Sequence, residues 1–435
     1  MRKNPHFATG LSKAFVYARI VLHVAARYAL RPSLFKRSPA AFGRFLWRAW
    51  RLLLIFRHNK VVRVSNGHKL HLYLPAYPSP AFFYALESKL LRQPPGAATV
   101  VFSMTKACPY KCAHCYQSRD GGPDLDEDLL LTTARDVQDA GVAMFDIEGG
   151  EPLVRFPRLL KLVQSIDERS EIWVNTTGSC PRAQGSLRDV LEKLRNAGLF
   201  GLMVSIHSPD PAKHDALTGV PGSFEVACDA LKACREAGLA AAFNSVLSEE
   251  EIRRDGLEKL MRLARELDCD YVQLIHPKPA GNWMGRETSM QRDPRLIADI
   301  RERHLYYNSC AAHDYPSLAA QAFEESESVL GCSAGAVDRF YVNATGEVQP
   351  CEFLNISFGN VREESFSEIY RRMRSHFRIP CCDWLCCTQG QAIHDLFRKR
   401  GPERTPLPWS LTRELVETWD RGRPTPAYKA LGIYQ

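Results

Sequence analysis

The first 86 residues contain no Asp and no Glu, although they contain fifteen Lys and Arg. The rest of the chain carries 42 Lys and Arg against 49 Asp and Glu. The formal net charge of +8 therefore combines a basic segment with a mildly acidic body. A segment of this kind indicates a polyanionic partner, which is either a membrane surface or a nucleic acid.

The basic segment also lacks the roughly 18 uninterrupted apolar residues that a membrane-spanning helix needs. Residues 14–30 and 41–57 are instead predicted to form amphipathic helices, each with a stripe of cations. We predict that residues 14–57 bind a membrane surface peripherally, with these cations towards anionic lipid. Packing on the catalytic domain and an organellar presequence are the alternatives. Nucleic-acid binding is disfavoured, because the aromatic side chains do not alternate with the cations.

No fourth cysteine near Cys108, Cys112 and Cys115 completes a closed metal site. The spacing C-x₃-C-x₂-C still allows three thiols of one short loop to converge on one centre. Such a centre keeps an open position, as catalytic metal sites do. A zinc knuckle that lacks one ligand and unligated thiols are the alternatives.

The fourteen cysteines fall mainly into two groups, at 108–115 and 332–387. Local grouping indicates metal ligation in a reducing compartment and argues against a disulfide framework. We therefore expect a cytoplasmic protein, peripheral on the inner face of the membrane if the basic helices bind lipid.

Between about residues 98 and 300, short apolar runs alternate with amphipathic helical patterns at roughly thirty-residue spacing. This alternation predicts an α/β domain with a parallel sheet, which is either open or closed into a partial barrel. Several distinctive sequences directly follow predicted strands, and parallel sheets bind ligands at that edge. The predicted strands are Thr99–Met104, Val142–Glu148, Glu171–Thr176, Leu202–His207, Ala240–Val246 and Tyr271–Ile275.

The pattern divides the chain into four regions. They are a basic N-terminal segment with a β-hairpin at Asn66-Gly67 (1–95), the α/β domain (96–300), a cysteine-rich domain (301–390) and a C-terminal tail (391–435).

The sequence CPYKCAHCY at residues 108–116, followed one βα unit later by GGEP at 149–152, resembles the radical S-adenosylmethionine (SAM) superfamily. The resemblance covers about residues 98–280 and implies a partial (βα)₆ barrel. It implies a [4Fe–4S] cluster with SAM bound to its open iron. The implied cluster ligands are Cys108, Cys112 and Cys115.

The same resemblance implies which residues hold SAM. The edge formed by Gly149, Gly150 and Glu151 is expected to bind the methionyl amine, and Tyr116 is expected near the adenine. Ser205 and Asn244 are expected contacts of the ribose or the carboxylate. Members of the superfamily often have Ser or Thr just before GGEP, whereas this chain has Glu148.

The second cysteine group begins with a predicted hairpin that carries Cys332 and Cys351 at its ends. Two remote pairs of thiols can form a closed four-cysteine site, with structural zinc as the alternative. The region resembles the SPASM extension, which carries auxiliary iron–sulfur clusters, although Arg378 and Gln391 replace its outer cysteines. We predict one auxiliary cluster of the [4Fe–4S] type, held by Cys332, Cys351 and two later thiols. The candidates for these two are Cys381, Cys382, Cys386 and Cys387.

The predicted function is reductive cleavage of SAM to a 5′-deoxyadenosyl radical that activates a substrate C–H bond. The substrate is expected to be a small molecule, a lipid or a peptide. The acid-free segment favours a membrane-borne lipid or polyprenoid, and the SPASM resemblance favours a ribosomal peptide or protein. Because no additional peptide-recognition domain is evident, we favour the membrane-borne substrate. A reductant such as flavodoxin or ferredoxin is the expected redox partner. No side chain is predicted to act as acid, base or nucleophile. A non-catalytic, membrane-associated iron–sulfur redox scaffold is the alternative of another class.

Overall fold

A computed structural model describes residues 6–64, 67–286, 293–401, 404–420 and 422–434. Asn66 of the predicted hairpin turn lies outside these residues. The strands are β1 (Phe7–Ala8), β2 (Val61–Val64), β3 (Gly67–Lys69), β4 (Thr99–Ser103), β5 (Met144–Glu148), β6 (Glu171–Thr176), β7 (Leu199–Ser205), β8 (Ala240–Val246), β9 (Tyr271–Ile275), β10 (Ser317–Ala320), β11 (Arg339–Val342) and β12 (Val348–Gln349).

Helices cover most of the connections between these strands. They are α1 (Gly10–Ala29), α2 (Pro39–Ile55), α3 (Pro80–Leu90), α4 (Glu127–Asp139), α5 (Phe156–Ser165), α6 (Leu187–Ala197), α7 (Pro211–Thr218), α8 (Ser223–Glu236), α9 (Glu249–Arg253), α10 (Gly256–Glu266), α11 (Pro294–Tyr307), α12 (Gln321–Glu324), α13 (Phe366–His376), α14 (Leu385–Thr388), α15 (Gly390–Arg400), α16 (Trp409–Glu417) and α17 (Pro426–Leu431).

One nine-stranded sheet organises the molecule, in the order β10-β9-β8-β7-β6-β5-β4-β11-β12. All neighbouring strands are parallel except β11 and β12, which form an antiparallel hairpin. The parallel α/β sheet predicted from the sequence is confirmed. The sheet continues beyond residue 300, because β10 joins one side of the six expected strands and β11 joins the other.

The sheet curves around an apolar interior, because inward side chains from separate strands pack together there. Met144, Trp173, Met203 and Tyr271 belong to this cluster. Alternate residues of a strand point to opposite faces, so the other face of each strand remains free to pack against the helices. Hairpin residues, among them Val62, join the same cluster and close the amino-terminal end of the barrel.

Helix α6 illustrates how the sequence sets these boundaries. The Ser186 hydroxyl accepts a hydrogen bond from the Asp189 amide and caps the amino terminus. Gly198 ends the helix in a left-handed conformation that favours glycine. Its apolar stripe, which includes Leu191, is buried. The helix therefore begins directly after its capping serine and ends directly before Gly198.

Helices α1 and α2 form as expected, but the cation stripe of α1 faces the protein. Arg19 Nη2 lies 3.2 Å from His68 Nδ1, and the Arg27 guanidinium stacks 4.2 Å from the centre of the Phe83 ring. On α2, Arg48 donates to the carbonyl of Gly432. The expectation that these cations point towards lipid is wrong for Arg27 and Arg48, because a ring face and a backbone acceptor hold them, whereas Arg19 stays exposed beside His68.

Among the helices in the described part of the chain, none combines the length and the apolar character that crossing a membrane requires.

Candidate active site

The loop between β4 and α4 carries Cys108, Cys112 and Cys115, and all three thiols line one cavity of about 570 Å³. The cavity lies at the carboxyl edge of the sheet, where parallel α/β folds bind ligands. Burial raises the pKa of Cys108 to about 11 and that of Cys112 to about 12, and the charge of Cys115 adds to both shifts. Three such thiols ionise together only beside a strong positive charge, which a bound metal centre supplies.

The turn after β5 is joined directly to this loop. The Gly150 amide donates to the Thr105 carbonyl at 2.7 Å, and the Glu151 amide donates to the Ala107 carbonyl at 2.7 Å. A Cβ atom on Gly150 would stand 2.4 Å from the Ala107 oxygen, and one on Gly149 would stand 2.5 Å from the Thr105 oxygen. The two glycines are therefore needed for the close approach of turn and loop, and both line the cavity.

The carboxylate of Glu151 has hydrogen-bond partners within the protein. Its carboxylate is fully buried and accepts hydrogen bonds from Thr176 Oγ1, Thr177 Oγ1 and the amides of Leu153 and Thr177. It is also absent from the residues that line the main cavity. In this structure Glu151 ties the turn to the end of β6, and the cavity wall consists of the two glycines.

Tyr116 lines the cavity together with Glu148, the carboxylate that replaces the usual Ser or Thr. The Tyr116 hydroxyl donates to Glu148 Oε1, and Gln117 Nε2 donates to the same oxygen at 3.2 Å. Burial raises the pKa of Glu148 well above its ordinary value. Glu148 thus has two donors, and it fixes the ring that is expected beside the adenine.

Ser205 and Asn244 also line the cavity and are paired in register between β7 and β8. Asn244 Nδ2 donates to Asn175 Oδ1 at 3.0 Å, and Asn175 Nδ2 donates to Asp146 Oδ1 at 2.6 Å. The sequence analysis did not identify Asp146. Its signal is nevertheless present, because residues 144–148 (MFDIE) place carboxylates at two successive inward positions of an apolar strand.

Further polar groups reach the cavity from outside the predicted set. His114 Nε2 lies 3.1 Å from His207 Nε2, and burial lowers the pKa of His114 to about 4. Lys278 and Arg339 line the cavity on the side of the second cysteine group. The site is therefore a charged cavity whose wall includes the first cysteine group and Phe353, which is two residues from Cys351.

The second group converges only in part. The Cys332 amide donates to the Cys381 carbonyl at 2.6 Å, and the Cys386 and Cys387 sulfurs are 3.8 Å apart. Cys382 points away, because its thiol donates to the carbonyl of Arg423 at 3.2 Å.

Burial raises the pKa of Cys332 to about 11, and the charge of Cys386 adds to this shift. Burial likewise raises the pKa of Cys351 well above its ordinary value, and Cys386 again contributes. Cys386 is therefore electrostatically coupled to both thiols of the hairpin.

Within the described ranges, no three His, Cys, Asp or Glu side chains are close enough to hold a single metal ion. A cluster of four irons fills the space between its ligands, so its thiols stand farther apart than the ligands of one ion. The three thiols on one cavity wall, with the open turn of Gly149 and Gly150 beside them, fit an iron–sulfur cluster that leaves room for a ligand.

Residues 102–273 match the Radical SAM superfamily, and the chain belongs to that superfamily. Residues 332–388 match the SPASM iron–sulfur cluster-binding domain, so the chain is a radical SAM enzyme of the SPASM-containing type. It uses a [4Fe–4S] cluster with SAM, and auxiliary iron–sulfur chemistry belongs to its C-terminal domain.

Known relatives differ in what they act on. An "AdoMet-dependent heme synthase" of Nitratidesulfovibrio vulgaris is 24% identical over 307 residues, which is 65% of this chain and 81% of the relative. A "Probable GTP 3',8-cyclase" of Pyrobaculum aerophilum is 34% identical over 180 residues, which is 40% of this chain and 56% of the relative.

Among solved structures, Streptococcus suis SuiB bound to S-adenosylmethionine superposes with a TM-score of 0.52 at 18% identity. The match covers 73% of this chain and 77% of SuiB. This likeness supports the fold and does not identify a substrate.

Proposed function

We propose that this radical SAM enzyme abstracts hydrogen from a carbon of a membrane-borne lipid or polyprenoid, and that it works from the cytoplasmic side as a peripheral protein. When bound, the first cluster and SAM supply the 5′-deoxyadenosyl radical. The exposed apolar face of α1 and α2 is the observation that carries the proposal for the substrate.

Large hydrophobic side chains are concentrated on the outside of this helix pair. Nine such side chains of the described residues are strongly exposed, and seven of them lie between residues 11 and 50. On α1, Leu11, Phe15 and Leu22 are 91%, 71% and 70% exposed, and their spacing places them on one helix face. The other four are Leu30, Leu34, Trp47 and Trp50. Such a concentration of apolar surface marks an interaction site.

The charge around this face suits anionic lipid. Lys36, Arg37 and Arg44 are exposed between and along the helices, and the Arg51 guanidinium lies 5.6 Å from the centre of the Trp47 ring. Trp beside Arg is typical of the membrane–water interface. Because the first acid of the chain is Glu87, no carboxylate within this segment opposes binding to an anionic surface.

A second, smaller cavity of about 110 Å³ lies beneath α2. Leu52, Ile55 and Phe56 of the helix end form one wall. Its lining shares four residues with the main cavity, and these are Tyr73, Gln273, Gln321 and Arg339. These shared side chains form the wall between the two cavities.

The side chains of the main cavity would bind and orient rather than transfer protons. Gly149 and Gly150 leave room for the methionyl part of SAM, and Tyr116, fixed by Glu148, would pack near the adenine. Ser205 and Asn244 offer polar contacts on the opposite strands. Glu151 would act indirectly by holding the turn.

For the auxiliary cluster, we propose Cys332, Cys351 and Cys386 as three ligands. The fourth is Cys381 or Cys387, because Cys381 pairs with Cys332 and Cys387 contacts Cys386. This choice leaves Cys382 free of iron, consistent with its bond to the tail.

Enzymatic activity is tested by anaerobic incubation of the reconstituted protein with dithionite and SAM. We expect 5′-deoxyadenosine in an amount that depends on Cys108. If no 5′-deoxyadenosine forms, even with lipid, polyprenoid and peptide candidates present, the non-catalytic scaffold becomes the better explanation.

Membrane association is tested by flotation with phosphatidylglycerol vesicles, with phosphatidylcholine vesicles for comparison. We expect the protein to float with the anionic vesicles and to float less at high salt. A Phe15→Ser/Leu22→Ser/Trp47→Ser variant should remain with the unbound protein. Val226→Ser and Tyr306→Ser remove the other two exposed hydrophobic side chains and should not change flotation.

A peptide or protein maturase is the second candidate, supported by the SPASM domain and by the SuiB fold. This candidate is favoured if the wild-type protein does not float with the anionic vesicles and the triple variant behaves in the same way. If the apolar face instead joins two copies of the chain, the wild-type protein should be a dimer and the triple variant a monomer, and lipid binding should be the same in both.

A further inference from the structure

Lys278 is a buried cation in the wall between the main cavity and the second cysteine group. Lys278 comes shortly after β9 in the chain. Its side chain lines the cavity, yet only 6% of the residue is exposed. The ammonium lies 4.8 Å from the centre of the Trp384 ring and 5.5 Å from that of Phe353. These two rings are two residues from Cys386 and Cys351, so both parts of the cysteine group contribute a ring to the Lys278 site.

Aromatic rings alone do not compensate for the burial of an ammonium group. A cation–π contact with a desolvated ring recovers less free energy than the burial of one charge costs. Among the described residues, no carboxylate accepts a hydrogen bond from Lys278. Glu325 is close enough to act electrostatically, but its carboxylate accepts from Arg339 Nη2 at 3.1 Å.

Through these two rings, Lys278 lies beside both parts of the second cysteine group. Arg339 lies on the same side, and its Nη2 is 4.0 Å from Cys351 Sγ. An anionic group held by these thiols would therefore meet cations on its cavity side.

We propose that Lys278 is a positioning residue for the auxiliary cluster, and that its charge raises the reduction potential of that cluster at the wall of the substrate cavity. A positive charge beside a cluster favours the reduced form, which carries one more negative charge. Because Lys278 faces the cavity as well as the thiols, this effect acts where an electron would pass between substrate and cluster. The inference rests on the auxiliary cluster and does not depend on a lipid substrate.

The test is a dye-mediated potentiometric titration of the reconstituted full-length enzyme, followed by EPR. Wild type is compared with Lys278→Met, Lys278→Gln and Lys278→Arg. SAM identifies the first cluster, because only the signal of that cluster should change when SAM is added. We expect the midpoint potential of the other cluster to fall in the Met and Gln variants and to stay near the wild-type value in the Arg variant. The midpoint potential of the first cluster should not change in any of the three variants.

An auxiliary midpoint potential that is the same in wild type and Lys278→Met would overturn the inference. An equal fall in Lys278→Arg would do so too, since the charge is retained there. If the neutral variants do not assemble the auxiliary cluster, assembly in the Arg variant supports a requirement for charge, and failure in all three variants refutes it. If the wild-type enzyme forms no 5′-deoxyadenosine, that result counts against the proposed enzymatic function. The midpoint potentials of wild type and variants still decide the role of Lys278.

Discussion

Individual buried carboxylates inside the barrel give the site its pH dependence. Burial, with the charge of Glu352, raises the pKa of Asp146 to about 7 from an ordinary value of 3.8. Because the pKa is raised in the folded protein, the Asp146 carboxyl stabilises the fold fully only at a pH below its pKa in the unfolded chain. This stabilisation is lost as the pH rises towards 7. The Asp146→Asn substitution removes this loss and keeps an oxygen that can accept from Asn175.

We therefore expect Asp146→Asn to gain stability relative to wild type as the pH rises from about 4 to about 8. Each unit of pKa shift corresponds to about 1.4 kcal/mol, so the gain is on the order of 2–4 kcal/mol. The measurement is the unfolding temperature of cluster-free protein across this pH range. A constant difference between the two proteins would show that Asp146 does not titrate as proposed.

Among the later cysteines, the direction of each thiol separates ligands from bystanders. We expect Cys382→Ser to retain the auxiliary iron, because its thiol is directed at Arg423, and Cys386→Ser to lose most of it. Iron analysis after reconstitution, with EPR of the reduced protein, measures both. Loss of the cluster in Cys382→Ser with retention in Cys386→Ser would reverse the proposed ligand set.

At the scale of elements, the turn after β5 and the cysteine loop behave as one unit. A Cβ on Gly150 would stand 2.4 Å from the Ala107 oxygen and 2.6 Å from that of Lys106. We expect Gly150→Ala to displace the loop and to reduce 5′-deoxyadenosine formation at least tenfold. This loss corresponds to about 1.4 kcal/mol or more of transition-state stabilisation.

Gly43→Ala is the matched control, since a Cβ there meets nothing within 4 Å and the residue lies within α2. It should leave turnover unchanged and raise helix stability by roughly 0.5–1 kcal/mol. Equal turnover in Gly150→Ala and wild type would show that the loop tolerates the displacement.

Elements differed in how well their sequences specified them. The strands of the barrel were predictable because each is a short apolar run that ends in a polar sequence, as at Thr99–Met104. The orientation of α1 could not be predicted from the sequence, because both of its faces are apolar and because an Arg side chain such as that of Arg27 packs on an aromatic ring within the protein. The positions of Glu151 and Cys382 were also beyond prediction. Each depends on a partner remote in sequence, namely the end of β6 and Arg423.

Across the whole molecule, one continuous sheet connects the first cysteine group with the domain that carries the second. The SPASM strand β11 pairs in parallel with β4, from which the cysteine loop departs. Lys278 and Arg339 line the same cavity as Cys108, Cys112 and Cys115, and Arg339 Nη2 lies 4.0 Å from Cys351 Sγ. A substrate in this cavity would therefore lie between a radical source and an auxiliary cluster, within a single rigid framework.

This arrangement predicts the iron content of the complete protein. With one four-iron cluster in each cysteine group, we expect about eight irons per chain after anaerobic reconstitution. A variant with Ala at Cys108, Cys112 and Cys115 should keep about four irons and lose the formation of 5′-deoxyadenosine. The SPASM region has too few convergent thiols for two closed clusters, so about twelve irons would contradict the single auxiliary site. About four irons in wild type, with none left in the triple variant, would show that the second group binds no cluster and would limit Lys278 to a structural role.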